Sequence, residues 1–232
     1  MKIPIIRDVL EESDALARQN HERFNSEGIY VVNMMSSPGA GKTTLLERTI
    51  SELKSKGLKC AVIEGDITST IDSEKLAHLK IPIVQANTQP FGGDCHVGSH
   101  LVHAALKMLP LHDLNYIFIE NIGNLVCPAE FYLGEHIKVV VLSLPEGEDK
   151  PVKYPLMFRE CNACLLNKMD LLPHLEVDIP LLNRNLVQVN GELTVFPVSA
   201  KTGSGFPAWI EWLESHRANA SQTTIRELEQ AN

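Results

Sequence analysis

Basic charge is scarce in this chain. Its 232 residues include 21 lysines and arginines against 29 aspartates and glutamates, a formal net charge of −8. That balance argues against nucleic acid or an anionic membrane surface as the main partner. Long apolar runs are lacking too: none reaches the roughly 20 residues that span a bilayer. The first seven residues carry no signal-peptide pattern, so the expected location is the cytoplasm, without membrane insertion. Cysteine is sparse, at five. An odd number in a chain this long does not suggest a disulfide framework, which leaves metal binding or plain burial. Internal repeats and low-complexity stretches are absent.

What remains is the composition of one ordinary globular domain, 44% hydrophobic and 22% charged. Residues 8–26 predict an amphipathic helix, with 1–28 as an N-terminal helical segment, 29–216 as the main domain and 217–232 as a polar tail. Apolar strand-like runs begin at residues 29, 60, 81, 116, 137, 163 and 193, and helical patterns alternate with them. Continuous apolar strands between helices predict an α/β fold with a mostly parallel central sheet flanked by helices. A helix is expected over residues 94–109, with Val97, Leu101, Ala104 and Met108 on its core face. The last helix is expected over 206–216.

The stretch that organises the chain is SSPGAGKTT, residues 36–44, between the first strand and a helix. This is the order a phosphate-binding loop needs, so a P-loop NTPase is expected. The amides around Pro38, Gly39, Ala40, Gly41 and Thr44 can wrap a polyphosphate, aided by the helix N-terminus. Lys42 would reach the terminal phosphates, and the Thr43 hydroxyl would ligand Mg²⁺. Ser36 stands where the first glycine of the usual pattern falls. Asn167-Lys168-Met169-Asp170 leaves a strand end, where Asp170 can accept from guanine N1 and N2. Lys168 would lie along the base, and Asn167 would tie this loop to the phosphate loop. Ser199-Ala200-Lys201 would supply the second base-edge loop. GTP is therefore the expected nucleotide. Asp66 and Glu120, each ending a strand, are the expected carboxylates near Mg²⁺. Glu120 is followed by Gly123, whose amide can sense the γ-phosphate. With Lys42 and Thr43 these two carboxylates form the expected catalytic set.

A softer donor set lies beside this one. Cys95 and His96 precede His100 and His103, the three histidines falling at i, i+4 and i+7, and Cys127 lies four residues past Gly123. Thiolate and imidazole suit Zn²⁺ or Ni²⁺. Placement of Cys127 on the switch would couple metal affinity to the γ-phosphate. Three ligands leave a four-coordinate site open, for a symmetric dimer to complete or for metal handover, and His100 and His103 are further candidates. The alternative is that the cysteines are small buried hydrophobes. Burial is the expectation for Cys60 and for the C-x-x-C pair Cys161 and Cys164, which enter strands.

These residues carry a resemblance. The phosphate loop, Glu64-Gly65-Asp66, Cys95-His96, ENIGNLVCP at 120–128 and EGEDKPVKYP at 146–155 together resemble the hydrogenase nickel-incorporation GTPases, the HypB family. The match extends over residues 29–213. It implies a SIMIBI-type GTPase fold, Mg²⁺-dependent hydrolysis of GTP and a GTP-dependent homodimer. Nickel or zinc would be held by Cys95, His96 and Cys127 at the subunit interface. The implied role is a metallochaperone for [NiFe]-hydrogenase maturation, with the hydrogenase large-subunit precursor and nickel-delivery accessory proteins as partners. The resemblance places Lys153 near nucleotide and dimer interface, whereas spacing alone makes it a solvated charge. Residues 1–28 contain no cysteine and only His21, so they carry none of the N-terminal metal tract found in some members, and the switch-linked donors are the expected metal site. The competing reading is a related GTPase chaperone, for urease or a cobalamin-dependent mutase. The Cys-Pro-His motif of the urease relatives is not found.

Overall fold

A computed structural model describes residues 7–66, 75–88 and 95–230, with side chains described for 11–66, 75–88 and 95–220. Seven strands form one sheet: β1 (Tyr30–Ser36), β2 (Cys60–Asp66), β3 (Ile83–Asn87), β4 (Tyr116–Glu120), β5 (Ile137–Ser143), β6 (Ala163–Asn167) and β7 (Thr194–Pro197). Their order is β3-β2-β4-β1-β5-β6-β7, and every pairing is parallel. Such a sheet must bury both faces, which is why β1 and β4 are buried along their whole length.

Side chains alternate across the strands and feed separate layers. Tyr30, Val32 and Met34 face the helix Lys42–Ser55 and the helix Phe206–Gln230, meeting Leu45, Ile50 and Trp209. Val31 faces the other side with Phe24, Ile63 and Val102, and Met35 meets Phe158, Leu182 and Cys164 there. Asn33 lies between those two clusters on the same face, fully buried in mid-strand.

The helix Arg7–Glu27 docks on the sheet: Ala17, Asn20 and Phe24 are buried, and Asn20 donates to the carbonyls of Ser99 and Leu133. Several expectations shift. The helix expected from residue 94 begins only at Ser99 and spans Ser99–Leu106; residue 94 itself lies outside the described residues. Gly98 is extended at the N-cap position, which separates residues 95–97 from the helix, and the Val97 N–H is taken by the Asn121 side chain instead. Val102, Ala105 and Leu106 form its inner face, while Ala104 and Met108 are exposed. β3 sits two residues later than its apolar run. The helix Ile179–Val189, with Leu182 and Leu186 buried on its inner face, was not among the expected elements although its apolar spacing carries it. The last helix does not stop at residue 216: with no glycine or proline beyond Pro207, it runs through the polar stretch to Gln230. No helix among the described residues is long and apolar enough to cross a membrane.

Candidate functional site

The C-terminal ends of β1, β4, β5 and β6 converge on the loop of residues 36–41, the crevice where parallel α/β sheets bind ligands. Gly39 and Gly41 have φ of 75° and 97°, a region that penalises any side chain. A Cβ on Gly41 would also lie 2.6 Å from Asn167 Nδ2. Ser36 is not among the positive-φ residues, so the departure from glycine costs no strain. Its hydroxyl donates to the Ser37 carbonyl and accepts from Lys42 Nζ at 2.9 Å. Thr43 Oγ1 donates to Glu120 Oε1 at 2.7 Å. Asp66 ends β2, beside β4 in the sheet. A hydroxyl hydrogen-bonded to a carboxylate, with a second carboxylate on the neighbouring strand, is a hard-oxygen donor set of the kind Mg²⁺ takes. Gly123 lies against the loop: a Cβ there would meet Pro38 atoms at 3.1 to 3.2 Å.

The base-side loops are tied as the sequence leads one to expect. Asn167 Nδ2 donates to the Ala40 carbonyl at 3.0 Å, and its Oδ1 accepts the Ala200 N–H at 3.2 Å. Lys168, in the left-handed region with φ 64°, sends Nζ to the Gly39 carbonyl at 2.8 Å. The Ser199 hydroxyl donates to Asp170 Oδ1 at 2.6 Å, which holds that carboxyl below its ordinary range and keeps it an acceptor. Lys201 follows on the same loop, and Arg48 Nη1 holds the Ala200 carbonyl. Thr44, exposed, is the third residue of the helix that follows the loop. Lys153 pairs with Asp149, both exposed, and each shifts the other toward its charged form.

Cys95 and Cys127 are both half-buried. Cys127 opens the one-turn helix Cys127–Glu130. The segments that carry the two cysteines touch: Asn124 Nδ2 donates to the Cys95 carbonyl at 3.4 Å, and the His96 ring stacks on Phe131 with centroids 3.9 Å apart and planes 4° apart. The helical histidine ladder is not formed. His96 precedes the helix, His100 is exposed, and His103 turns to Asn20 Oδ1 of the N-terminal helix at 3.1 Å. Among the described residues of one chain, no three of His, Cys, Asp and Glu gather into a metal-holding group. Cys60, Cys161 and Cys164 are buried, as their strand positions imply, and burial pushes the Cys60 and Cys164 thiols up to about 12. They stay protonated, unlike metal ligands.

Sequence reasoning missed the residues that hold these loops. Glu146 accepts from Ser37 Oγ with one oxygen and from Ser143 N and Oγ, each at 2.8 Å, with the other. The S-x-x-E spacing of 143–146 is a capping-box signal that was available. Asn121 and Asn33 had no such signal, because a buried amide is defined by partners remote in sequence.

Comparison with known proteins places the chain in context. The family described as CobW/HypB/UreG, nucleotide-binding domain, matches residues 30–197. The hydrogenase maturation factor HypB of Escherichia coli K12 is 46% identical over 210 residues, 90% of this chain and 71% of that protein. The structure of HypB from Helicobacter pylori in complex with nickel is similar with a TM-score of 0.83 at 33% identity, covering 90% of this chain and 97% of that one. The hydrogenase maturation factor HypB of Archaeoglobus fulgidus gives a TM-score of 0.82, also at 33% identity, over 90% of this chain and all of that one.

Proposed function

The chain belongs to the HypB hydrogenase maturation factors of the CobW/HypB/UreG family, and from that premise we propose that it hydrolyses GTP with Mg²⁺ and uses the nucleotide state to take up and release nickel. The observation that carries this reading is the contact of two donor sets along one segment. Glu120, at its start, holds Thr43 of the phosphate loop. Asn124, four residues on, holds the backbone of Cys95, and Cys127 follows.

In this reading the loop amides and Lys42 bind the β- and γ-phosphates and orient them. Thr43, Asp66 and Glu120 would hold Mg²⁺, which supplies charge neutralisation of the phosphates when bound. Asp170 selects guanine, because adenine offers no donor pair and would leave its carboxylate unmet. Gly123 lies against Pro38, so the γ-phosphate and the segment that carries Cys127 share one loop contact.

Nickel is cargo. Cys95, His96 and Cys127 are the donors of the right softness, with Zn²⁺ as the competing ion. The described residues of one chain do not gather three of them; in this reading a second copy completes the site in a GTP-dependent homodimer, with Lys153 near its interface. The receiver is a hydrogenase large-subunit precursor, reached with accessory delivery proteins in the cytoplasm.

The test is a set of Ni²⁺ and Zn²⁺ titrations of the nucleotide-free, GDP and non-hydrolysable GTP forms, with mass measured in parallel. Dimer mass with the GTP analogue and a nucleotide-dependent nickel affinity are expected. Equal affinity in all three forms would overturn the reading. Lys42→Ala is expected to abolish turnover.

A further inference from the structure

Three carboxylates are buried among the described residues: Glu64, Glu120 and Glu135. The first two lie side by side on β2 and β4 near the phosphate loop. Glu135 is elsewhere, just before β5, and the nucleotide chemistry does not use it. Burial raises its carboxyl above the ordinary range, against the opposing pull of Lys138.

Both oxygens of Glu135 are committed. Oε2 accepts the Leu133 N–H at 2.7 Å, and Oε1 accepts from Asn33 Nδ2 at 3.3 Å. Asn33 Oδ1 accepts from Asn121 Nδ2 at 3.2 Å. Asn121 Oδ1 then accepts two backbone N–H groups, of Val97 and Ile122, each at 3.0 Å. The direction of this chain is forced. A carboxylate that accepts sits at one end, and two N–H groups that can only donate sit at the other. Each amide between them has one orientation that satisfies both neighbours.

Glu135 has a second branch. Lys138 Nζ lies 3.9 Å from Oε1 and donates to the Ala129 carbonyl at 3.0 Å, within the helix that Cys127 opens. The relay ends at Val97, one residue after His96.

The geometry points to Glu135 as a positioning residue that fixes both halves of the soft-donor site, residues 95–97 through the Asn33–Asn121 relay and the Cys127–Glu130 helix through Lys138. The link to nickel rests on the reading of Cys95, His96 and Cys127 as ligands; the relay does not. Asn121 is also the residue after Glu120, so displacement of the β4 end on loss of the γ-phosphate is delivered to residues 95–97 through a side chain as well as to Cys127 through the backbone.

The experiment is amide hydrogen exchange on the metal-free full chain, followed at Val97 and Ile122. Glu135→Gln replaces one acceptor oxygen with an NH₂ group, which must face either the Leu133 N–H or the Asn33 NH₂. If both Asn33 and Asn121 turn over to accommodate it, the Asn33 NH₂ faces Asn121 and the Asn121 NH₂ points at the Val97 and Ile122 N–H groups. Exchange at these two amides is expected to rise about tenfold. Asn33→Ser is too short to reach both neighbours and must raise exchange at the same two amides without a change at Glu135, so the test survives if Glu135→Gln does not fold. Asn121→Asp keeps the acceptor for both N–H groups and is expected to retain their protection. Unchanged exchange at Val97 and Ile122 in both Glu135→Gln and Asn33→Ser overturns the proposal. The same variants are titrated with Ni²⁺, read by sulfur-to-nickel charge-transfer absorbance. Nickel affinity is expected to fall about tenfold. Faster exchange with unchanged nickel affinity leaves the relay standing and removes Cys95 and His96 from the metal reading.

Discussion

The Thr43 hydroxyl donates to Glu120 Oε1 across 2.7 Å and so joins the first turn after the phosphate loop to the end of β4. In the proposed mechanism both groups serve the same Mg²⁺. Thr43→Ala removes a ligand, and Glu120→Gln removes a charge. Phosphate release at saturating GTP is expected to fall on the order of 100-fold in each. GDP binding, which in that mechanism relies on the loop amides and Asp170, is expected to change by only a few fold. Wild-type turnover in either variant would show that the pair is structural.

Asp170 offers a test of base recognition. Asp170→Asn turns one acceptor oxygen into a donor, so guanine N1 and N2 lose a partner and meet an NH₂. Xanthine carries a carbonyl where guanine carries its amino group, and that carbonyl can accept. Competition binding is expected to show GTP affinity down by roughly 100-fold and xanthosine triphosphate gaining relative to it. The sign of the pH effect follows from Ser199, which depresses the Asp170 carboxyl. The ionised acceptor is present at neutral pH and is lost only as pH falls through that lowered value. GTP affinity in the wild type should therefore show no loss from this group between pH 7 and pH 5.

His136 makes stability fall with acid. Its Nδ1 accepts the Val31 N–H at 3.0 Å, which places the ring proton on Nε2 for donation to Asn25 Oδ1 at 2.9 Å. Burial, with His21 close by, lowers its pKa from 6.5 to about 4. The folded chain thus binds fewer protons than the unfolded chain between those values. The contribution is complete above about 6.5 and lost as pH falls through about 4, a total of about 3 kcal/mol. Urea midpoints at pH 7 and pH 5 sample roughly 2 kcal/mol of it. His136→Gln does not titrate, so its midpoint should drop less between the two conditions.

The parts of the molecule that repeat a local rule were legible in the sequence. β4 and β6 have the bounds their apolar runs imply, and Asn167 ties the loops it was expected to tie. Periodicity failed where a distant partner decided the backbone. The helix expected from residue 94 starts at Ser99, after an extended Gly98, and Asn121, just past the end of β4, takes the Val97 N–H. The soft-donor candidates could be named by type and order, but their arrangement in space could not. His103 satisfies Asn20 across the helix pair instead of joining His96, a choice that no spacing rule encodes.

Gly123→Ala tests whether the segment from Glu120 to Cys127 reports on the phosphate loop. The new methyl group would sit 3.1 Å from Pro38 Cα and 3.2 Å from its N and Cγ. Two of those three atoms are backbone of the loop, which Asn167 and Lys168 hold through Ala40 and Gly39, so the loop yields little and the switch segment must back away. Gly123 is not among the positive-φ residues, so the substitution adds no backbone strain and the fold should survive. In the proposed mechanism the displaced amide would no longer reach the γ-phosphate, while the β-phosphate contacts would be untouched. The expected outcome is GDP affinity near wild type, affinity for a non-hydrolysable GTP analogue down by about tenfold, and a nickel affinity that no longer differs between the two nucleotide forms. A variant that still tightens on the analogue and still changes its nickel affinity would show that the γ-phosphate reaches the cysteines by a route that bypasses Gly123.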